Sequence, residues 1–70
     1  MKQISINNGR TYMTAEEAMP EILNNNLWPV VEQVMDDDTR EAVCREIAPC
    51  TELEFLRRYL EIAPHDITIG

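Results

Sequence analysis

The stretch TELEFLRRYLEI, residues 51–62, gives the clearest structural signal in the chain. Thr51 and Glu54 have the spacing of a capping box, in which an N-cap hydroxyl and a carboxylate three residues later bond each other's backbone amides. Apolar residues then recur every three to four positions, which is the period of a helix with one buried face. We therefore predict a helix over Glu52–Ile62, ended by Pro64.

A second capping box opens the helical middle of the chain. Thr14 is its N-cap, and Glu17 lies three residues later. The helix then meets Pro20, which removes one backbone hydrogen bond and clashes with the preceding turn. Two readings stay open: the helix ends near Met19, or it restarts at Pro20 and runs through Leu23.

Two more short helices are predicted between these capping boxes. Proline suits the first turn of a helix, so one helix is predicted over Pro29–Met35. The acidic triplet 36–38 offers N-caps for the next helix, and Asp38 with Glu41 makes the best capping box there. Pro49 ends that helix.

Alternating β-branched residues indicate strands at both ends of the chain. Ile4 and Ile6 alternate with polar residues and are followed by Asn8-Gly9, the dipeptide favoured in the tight turn of a β-hairpin. The segment DITIG, residues 66–70, repeats the alternation. We expect it to pair with one of the hairpin strands, because an isolated hairpin is marginal in water.

The sequence thus predicts one small α+β domain over residues 1–70. A small antiparallel sheet, made of the N-terminal hairpin and the C-terminal strand, packs against three or four short helices. Seventy residues make only a thin core and leave little room for a concave pocket. The predicted core consists of Ile4, Ile6, Tyr12, Leu23, Val31, Val34, Val43, Ile47, Leu53, Leu56, Tyr59, Leu60, Ile67 and Ile69.

The charge balance excludes several classes of partner. Thirteen acidic residues against six Lys and Arg give a net charge of −7. Nucleic acids and anionic membranes are bound through basic surfaces, so the composition argues against direct binding of either. The sequence has no apolar run of about 20 residues and no signal-peptide core. We expect a cytoplasmic protein.

Residues for catalysis or metal binding are scarce. One His, one Ser and one Lys give little material for an active site. Cys44 and Cys50 lack CxxC spacing and are expected to be reduced thiols, with Cys44 in the core. Three Cys and His residues are too few for four zinc ligands, and the 36–38 triplet lacks the spacing and glycine of an EF-hand. We predict no enzymatic activity, no metal and no cofactor.

The acidity is concentrated in residues 15–54, which carry a net charge of −9. Helix caps and first turns favour acids and account for much of it, so a solvated acidic face is one reading. The other reading is a surface for one protein partner with a basic surface. Glu32 with Asp36, and Asp37 with Glu41, are like-charged pairs four residues apart, which repel each other.

Trp28 is read either as a core or boundary aromatic or as an exposed anchor for a partner, since Trp is enriched at binding hot spots. Together with the acids it defines the predicted partner-binding set: Trp28, Glu32, Asp36, Asp37, Asp38 and Glu41.

The stretch MDDDTRE (35–41), followed by IAPCTE (47–52), Phe55-Leu56 and Tyr59-Leu60, resembles a group of short acidic proteins. These are carried by conjugative and phage-derived mobile elements of intestinal bacteria. The resemblance implies a mobile-element accessory protein, in a setting where such proteins often act against host defence. It brings no activity that can be assigned to single residues.

Three roles follow as alternatives. The first is a protein-binding module that docks a basic surface through its acidic helices. The second is a DNA-mimic inhibitor of a host restriction or CRISPR enzyme, with carboxylates in place of phosphates. The third is a structural subunit of a larger assembly, and a homodimer would also suit so thin a core.

Overall fold

The computed structural model describes residues 2–70 and is mostly helical. Its elements are β1 (Ile4–Ser5), α1 (Ala15–Asn24), α2 (Trp28–Val34), α3 (Asp37–Ile47), α4 (Glu52–Ile62) and β2 (Ile67–Thr68). This confirms the α+β class, the four short helices and the C-terminal strand. Within residues 2–70, the helices are too short and too polar to cross a membrane.

The sheet is parallel, so the predicted antiparallel sheet is wrong. β1 and β2 lie side by side with Ile4 opposite Ile67. The amide of Ile67 donates to the carbonyl of Gln3 at 3.1 Å, and the amide of Ile69 donates to that of Ser5 at 2.9 Å. The physical reason is that four helices separate the strands along the chain and act as a crossover, which returns β2 in the direction of β1.

The Asn8-Gly9 turn forms, but the predicted hairpin ladder does not. Asn8 has φ 61° and Gly9 has φ 84°, the left-handed values that a type I′ turn needs at both central positions. Beyond it, pairing across the hairpin is limited in the described chain to one antiparallel bridge between Ile4 and Met13. β1 is therefore paired with β2 on one side and held by this single bridge on the other.

Side chains bind the backbone of this loop where a ladder was expected. The buried Ser5 hydroxyl accepts a hydrogen bond from the Gly9 amide at 2.8 Å and donates to Asn7 Oδ1 at 2.9 Å. The same Asn7 oxygen accepts from the Thr11 amide at 3.0 Å. Such local bonds compete with strand pairing, which explains why the two arms of the loop do not form a regular ladder.

The helix α1 begins as predicted and passes through its proline. Thr14 and Glu17 form both hydrogen bonds of the capping box, which confirms that prediction. The ending near Met19 and the restart at Pro20 do not occur, because α1 is continuous with Pro20 inside. The helix runs through Leu23, as the second reading predicted, and ends at Asn24. Pro20 is on the exposed side of the helix, and we attribute the continuity to burial of the opposite face in the core.

The N-cap of α3 is Asp36, so the prediction of Asp38 as the cap is wrong. Asp36 Oδ2 accepts from the Thr39 amide at 2.9 Å and from the Thr39 hydroxyl at 2.8 Å. The Asp36 amide donates to the Tyr59 hydroxyl at 2.6 Å. This tertiary contact holds Asp36 in the extended conformation of an N-cap. Asp38 lies in the first turn of α3 instead.

The remaining helix predictions differ little from the structure. α4 spans Glu52–Ile62 with Thr51 as its N-cap, as predicted, and the Thr51 hydroxyl accepts from the Glu54 amide at 3.1 Å. The Glu54 carboxylate accepts from the Thr51 hydroxyl and not from its amide, so only half of the predicted capping box forms. α2 begins and ends one residue earlier than predicted, at Trp28 and Val34. Pro29 lies in its first turn, as expected.

The Asp36 cap gives a prediction for the pH dependence of stability. The hydrogen bonds from the side chain and the amide of Thr39 hold the pKa of Asp36 below its ordinary value of 3.8. A lowered folded pKa means that Asp36 stabilises the fold at neutral pH and loses this contribution as the pH falls through the folded value. We expect Asp36→Asn to be less stable than the native chain at pH 7. The difference should shrink as the pH falls below 3.8.

Urea unfolding at a series of pH values, followed by far-UV circular dichroism, measures this difference. Asp38→Asn is the matched control, because Asp38 lies in the same helical turn without capping it. If the stabilities of Asp36→Asn and Asp38→Asn depended on pH in the same way, the contribution of the ionised Asp36 carboxylate to stability would be wrong; the cap itself would stand, since Asn is also a good N-cap.

The core confirms most of the predicted residues. The buried ones are Ile4, Val31, Val43, Leu56, Tyr59, Leu60, Ile67 and Ile69, while Ile6, Ile47 and Leu53 are partly buried against them. Tyr12, Leu23 and Val34 were predicted in the core and are exposed. Those corrections each have a local cause.

Leu23 is exposed because α1 turns a neighbouring face inward, formed by Ala15, Ala18, Met19 and Ile22. Val34 lies four residues after Val30, and both are on the outer side of α2, whereas Val31 is buried. Tyr12 is beside the single bridge at Met13, and successive residues of an extended chain point to opposite faces. Its hydroxyl is 3.2 Å from Thr68 Oγ1 on the exposed face.

Candidate protein-binding groove

An open groove of about 560 Å³ lies between α2, α3 and the start of α4. Trp28 and Glu32 of α2 line it from one side, and Glu52 and Phe55 in the first turn of α4 line it from another. The expectation that so short a chain has little room for a concave site is therefore not met. The groove lies where three short helices meet.

Two aromatic side chains form the apolar part of the groove. Trp28 and Phe55 are each half-buried and pack against the hydrophobic core. Part of each side chain therefore packs on the core, and the exposed part is left for an occupant of the groove. Trp28 is a boundary aromatic, which agrees with the first of its two predicted readings and leaves the second open.

The wall from α3 carries charged side chains and one thiol. Asp37, Arg40, Glu41 and Cys44 recur at the spacing of one helix face. Arg40 Nη2 lies 3.3 Å from Asp37 Oδ1, and Arg45, next to the groove, has its Nη2 2.6 Å from Glu41 Oε1. These are exposed ion pairs, which contribute little to stability.

Glu32 and Glu52 are different, because they form no ion pair within residues 2–70. Glu32 is half-buried and Glu52 is exposed. The groove thus contains four carboxylates and one guanidinium, that of Arg40. Its charge is negative, and two of its carboxylates are available to a cation from outside.

The structure brings together four of the six predicted partner-binding residues. Trp28, Glu32, Asp37 and Glu41 line the groove. Asp36 and Asp38 are not among the lining residues: Asp36 caps α3, and Asp38 is exposed in the first turn of the same helix. The predicted site is thus divided between a concave surface and the N-terminal end of α3.

Sequence reasoning missed the α4 side of the groove. Glu52 was assigned to a helix start, and Phe55 to the apolar face of the fourth helix. Their spacing of three residues does place them on one helical face. Only the packing of α3 against α4 shows that this face borders α2 and α3 as well. The α3–α4 loop adds Cys50 and Thr51 to the lining, and its Ala48–Pro49 peptide bond is cis.

The chemistry that the groove offers is aromatic contact and negative charge. Cys44 and Cys50 are free thiols, and Cys44 is exposed, so its predicted place in the core is wrong. Within residues 2–70, no group of three or more His, Cys, Asp or Glu is arranged to hold a metal ion. Comparison of the chain with protein-family models, curated proteins and solved structures gave no match.

Proposed function

We propose that this protein is a small binding module that holds a basic segment of one partner protein in the groove. The observation that supports this most directly is the meeting of two half-buried aromatic side chains and four carboxylates in one concave surface. Aromatic side chains provide a large contact area with few rotatable bonds, which is why Trp is enriched at binding hot spots. The carboxylates select for a positively charged partner and speed its approach.

The size of the groove favours a short segment over a folded surface. A volume of about 560 Å³ lies in the range that holds a few side chains or a small molecule. An amphipathic helix that inserts its side chains into such a groove is a recurrent mode of peptide recognition. We therefore expect the partner to present a helix or a loop with basic residues beside apolar ones.

The resemblance of residues 35–41, 47–52, 55–56 and 59–60 to proteins of mobile elements supports a role as a mobile-element accessory protein. A DNA mimic would present unpaired carboxylates along an outer surface, because a duplex carries one charge per about 1.7 Å of its axis. Here Asp37 and Glu41 pair with arginines, and the acids surround a groove with aromatic side chains. These features favour a protein segment as the ligand. A homodimer or a structural subunit stays a prediction.

Trp28 provides the first test of the groove. We expect Trp28→Ala to bind a basic amphipathic peptide at least about tenfold more weakly, because removal of a hot-spot anchor costs 2 kcal/mol or more. Leu23→Ala is the matched control, since Leu23 is an exposed apolar residue outside the groove. Its affinity for the same peptide should equal that of the native chain.

Fluorescence anisotropy of a labelled peptide measures both affinities, and circular dichroism verifies that each variant is folded. An acidic peptide of the same length and apolar pattern should not bind. If folded Trp28→Ala bound the basic peptide as tightly as the native chain, the groove would not be the binding site.

A further inference from the structure

Two walls of the groove, those of α2 and α4, each pair one aromatic ring with one carboxylate. Trp28 and Glu32 are four residues apart on α2, and Glu52 and Phe55 are three residues apart on α4. Residues at these spacings are neighbours on a helix surface. Both pairs line the same groove, so an occupant meets an aromatic ring and a carboxylate on each of these walls.

From this arrangement we propose that the groove recognises an arginine of the partner segment. Its guanidinium lies against the aromatic rings and donates hydrogen bonds to the carboxylates of Glu32 and Glu52. This inference rests on the proposed function and identifies the partner residue by which the groove recognises the basic segment.

The occupant has to bring a positive charge because of the two carboxylates. An apolar side chain seated between the walls would remove water from Glu32 and Glu52 without replacing their hydrogen bonds, which is unfavourable. A cation replaces those bonds and is also attracted to the faces of the aromatic rings. The half-burial of Glu32, together with its lack of an ion-pair partner in residues 2–70, makes the need for a cation strongest on the α2 wall.

Arginine suits these walls better than lysine. Its planar guanidinium carries five N–H donors, stacks on aromatic rings and is more weakly hydrated than an ammonium group. It can therefore bond carboxylates on two walls and contact a ring with its face at the same time. A lysine ammonium is a compact, strongly hydrated charge, which binds the carboxylate of one wall at a time.

The one arginine that lines the groove does not bind the carboxylates of the α2 and α4 walls. Arg40 lies on the third wall, where it bonds Asp37 at 3.3 Å. In the described part of the chain it forms no ion pair with Glu32 or Glu52. The α2 and α4 walls are thus left to a guanidinium supplied by another molecule.

Trp28 makes the proposal measurable, because it is the single tryptophan of the chain and its fluorescence reports on this groove. The probes are three acetylated and amidated lysine-leucine peptides that differ only at the central position, which is arginine, lysine or citrulline. Citrulline keeps the shape of arginine and has no charge. We expect the citrulline peptide to bind about tenfold more weakly than the arginine peptide, with the lysine peptide between them, since hydrogen bonds to charged groups are strong.

The carboxylates are tested by Glu32→Gln with Glu52→Gln, a variant that keeps their shape and removes their charge. It should lose most of the preference for the arginine peptide over the citrulline peptide, and the remainder comes from the aromatic rings, which the variant keeps. The control, Glu21→Gln with Glu61→Gln, removes two exposed charges outside the groove and should keep the preference.

The affinities of the three peptides, measured by isothermal titration calorimetry, distinguish failure of this inference from failure of the proposed function. If the three peptides bound the native chain with one affinity, or if the double Gln variant kept the whole preference for arginine, recognition of an arginine would be overturned and binding of a basic segment would stand. If none of the basic peptides bound, both would be overturned.

Discussion

Tyr59→Ala is expected to leave most molecules unfolded at room temperature. Tyr59 of α4 is fully buried, and its hydroxyl accepts a hydrogen bond from the amide of Asp36, the N-cap of α3. Truncation of a large buried aromatic side chain costs about 3–5 kcal/mol. A core in a chain of this length rarely supplies more than about 3–5 kcal/mol of stability, so the loss is comparable to the whole.

Tyr59→Phe separates packing from the hydrogen bond. This variant keeps the ring and removes only the acceptor of the Asp36 amide, so we expect it to fold and to lose about 1 kcal/mol. Urea unfolding followed by far-UV circular dichroism measures both variants. A native-like midpoint for Tyr59→Ala would show that the contact between α3 and α4 does not depend on this side chain.

The second large expected effect is the loss of affinity for a basic peptide when two charges in the groove are reversed. We expect Glu32→Lys with Glu52→Lys to weaken binding of a basic peptide about 100-fold or more, because juxtaposed like charges cost several kcal/mol across an interface. Neither carboxylate takes part in an ion pair of residues 2–70. The variant should therefore stay folded while it loses affinity.

The matched control is Glu21→Lys with Glu61→Lys, which changes the net charge by the same amount outside the groove. It should reduce affinity far less. Because the Debye length falls from about 10 Å at 0.1 M salt to 3 Å at 1 M, the distant control effect should vanish at high salt and much of the groove effect should persist. Equal losses for both variants at all salt concentrations would mean that net charge, and not the groove, attracts the peptide.

The sequence by itself determined the local features. Thr14 and Thr51 lie three residues before the groups that they bond, so their role as N-caps requires no knowledge of the rest of the fold. The left-handed turn at Asn8-Gly9 is equally local, because only the conformational freedom of those two residues is needed. The prediction of the bounds of α4 held for the same reason.

The tertiary structure decided which face of each element is used. Periodicity shows that a helix has an apolar side, but the neighbouring element selects the residues that are buried, and α1 buries Ala18 in place of Leu23. The choice of Asp36 over Asp38 as N-cap depended on the Tyr59 hydroxyl, which lies 23 residues away in sequence. Strand direction likewise followed from the path of the whole helical segment.

The residues of the groove likewise divide into those that the sequence indicates and those that only the tertiary structure identifies. Trp28, Glu32, Asp37 and Glu41 were found from the sequence, because a single Trp and a run of uncompensated acids are visible there. Glu52 and Phe55 were not, because their membership depends on how α4 packs against α3. Local hydrogen bonds and helical spacing thus determined the individual helices, whereas the concave surface exists only where three of them meet.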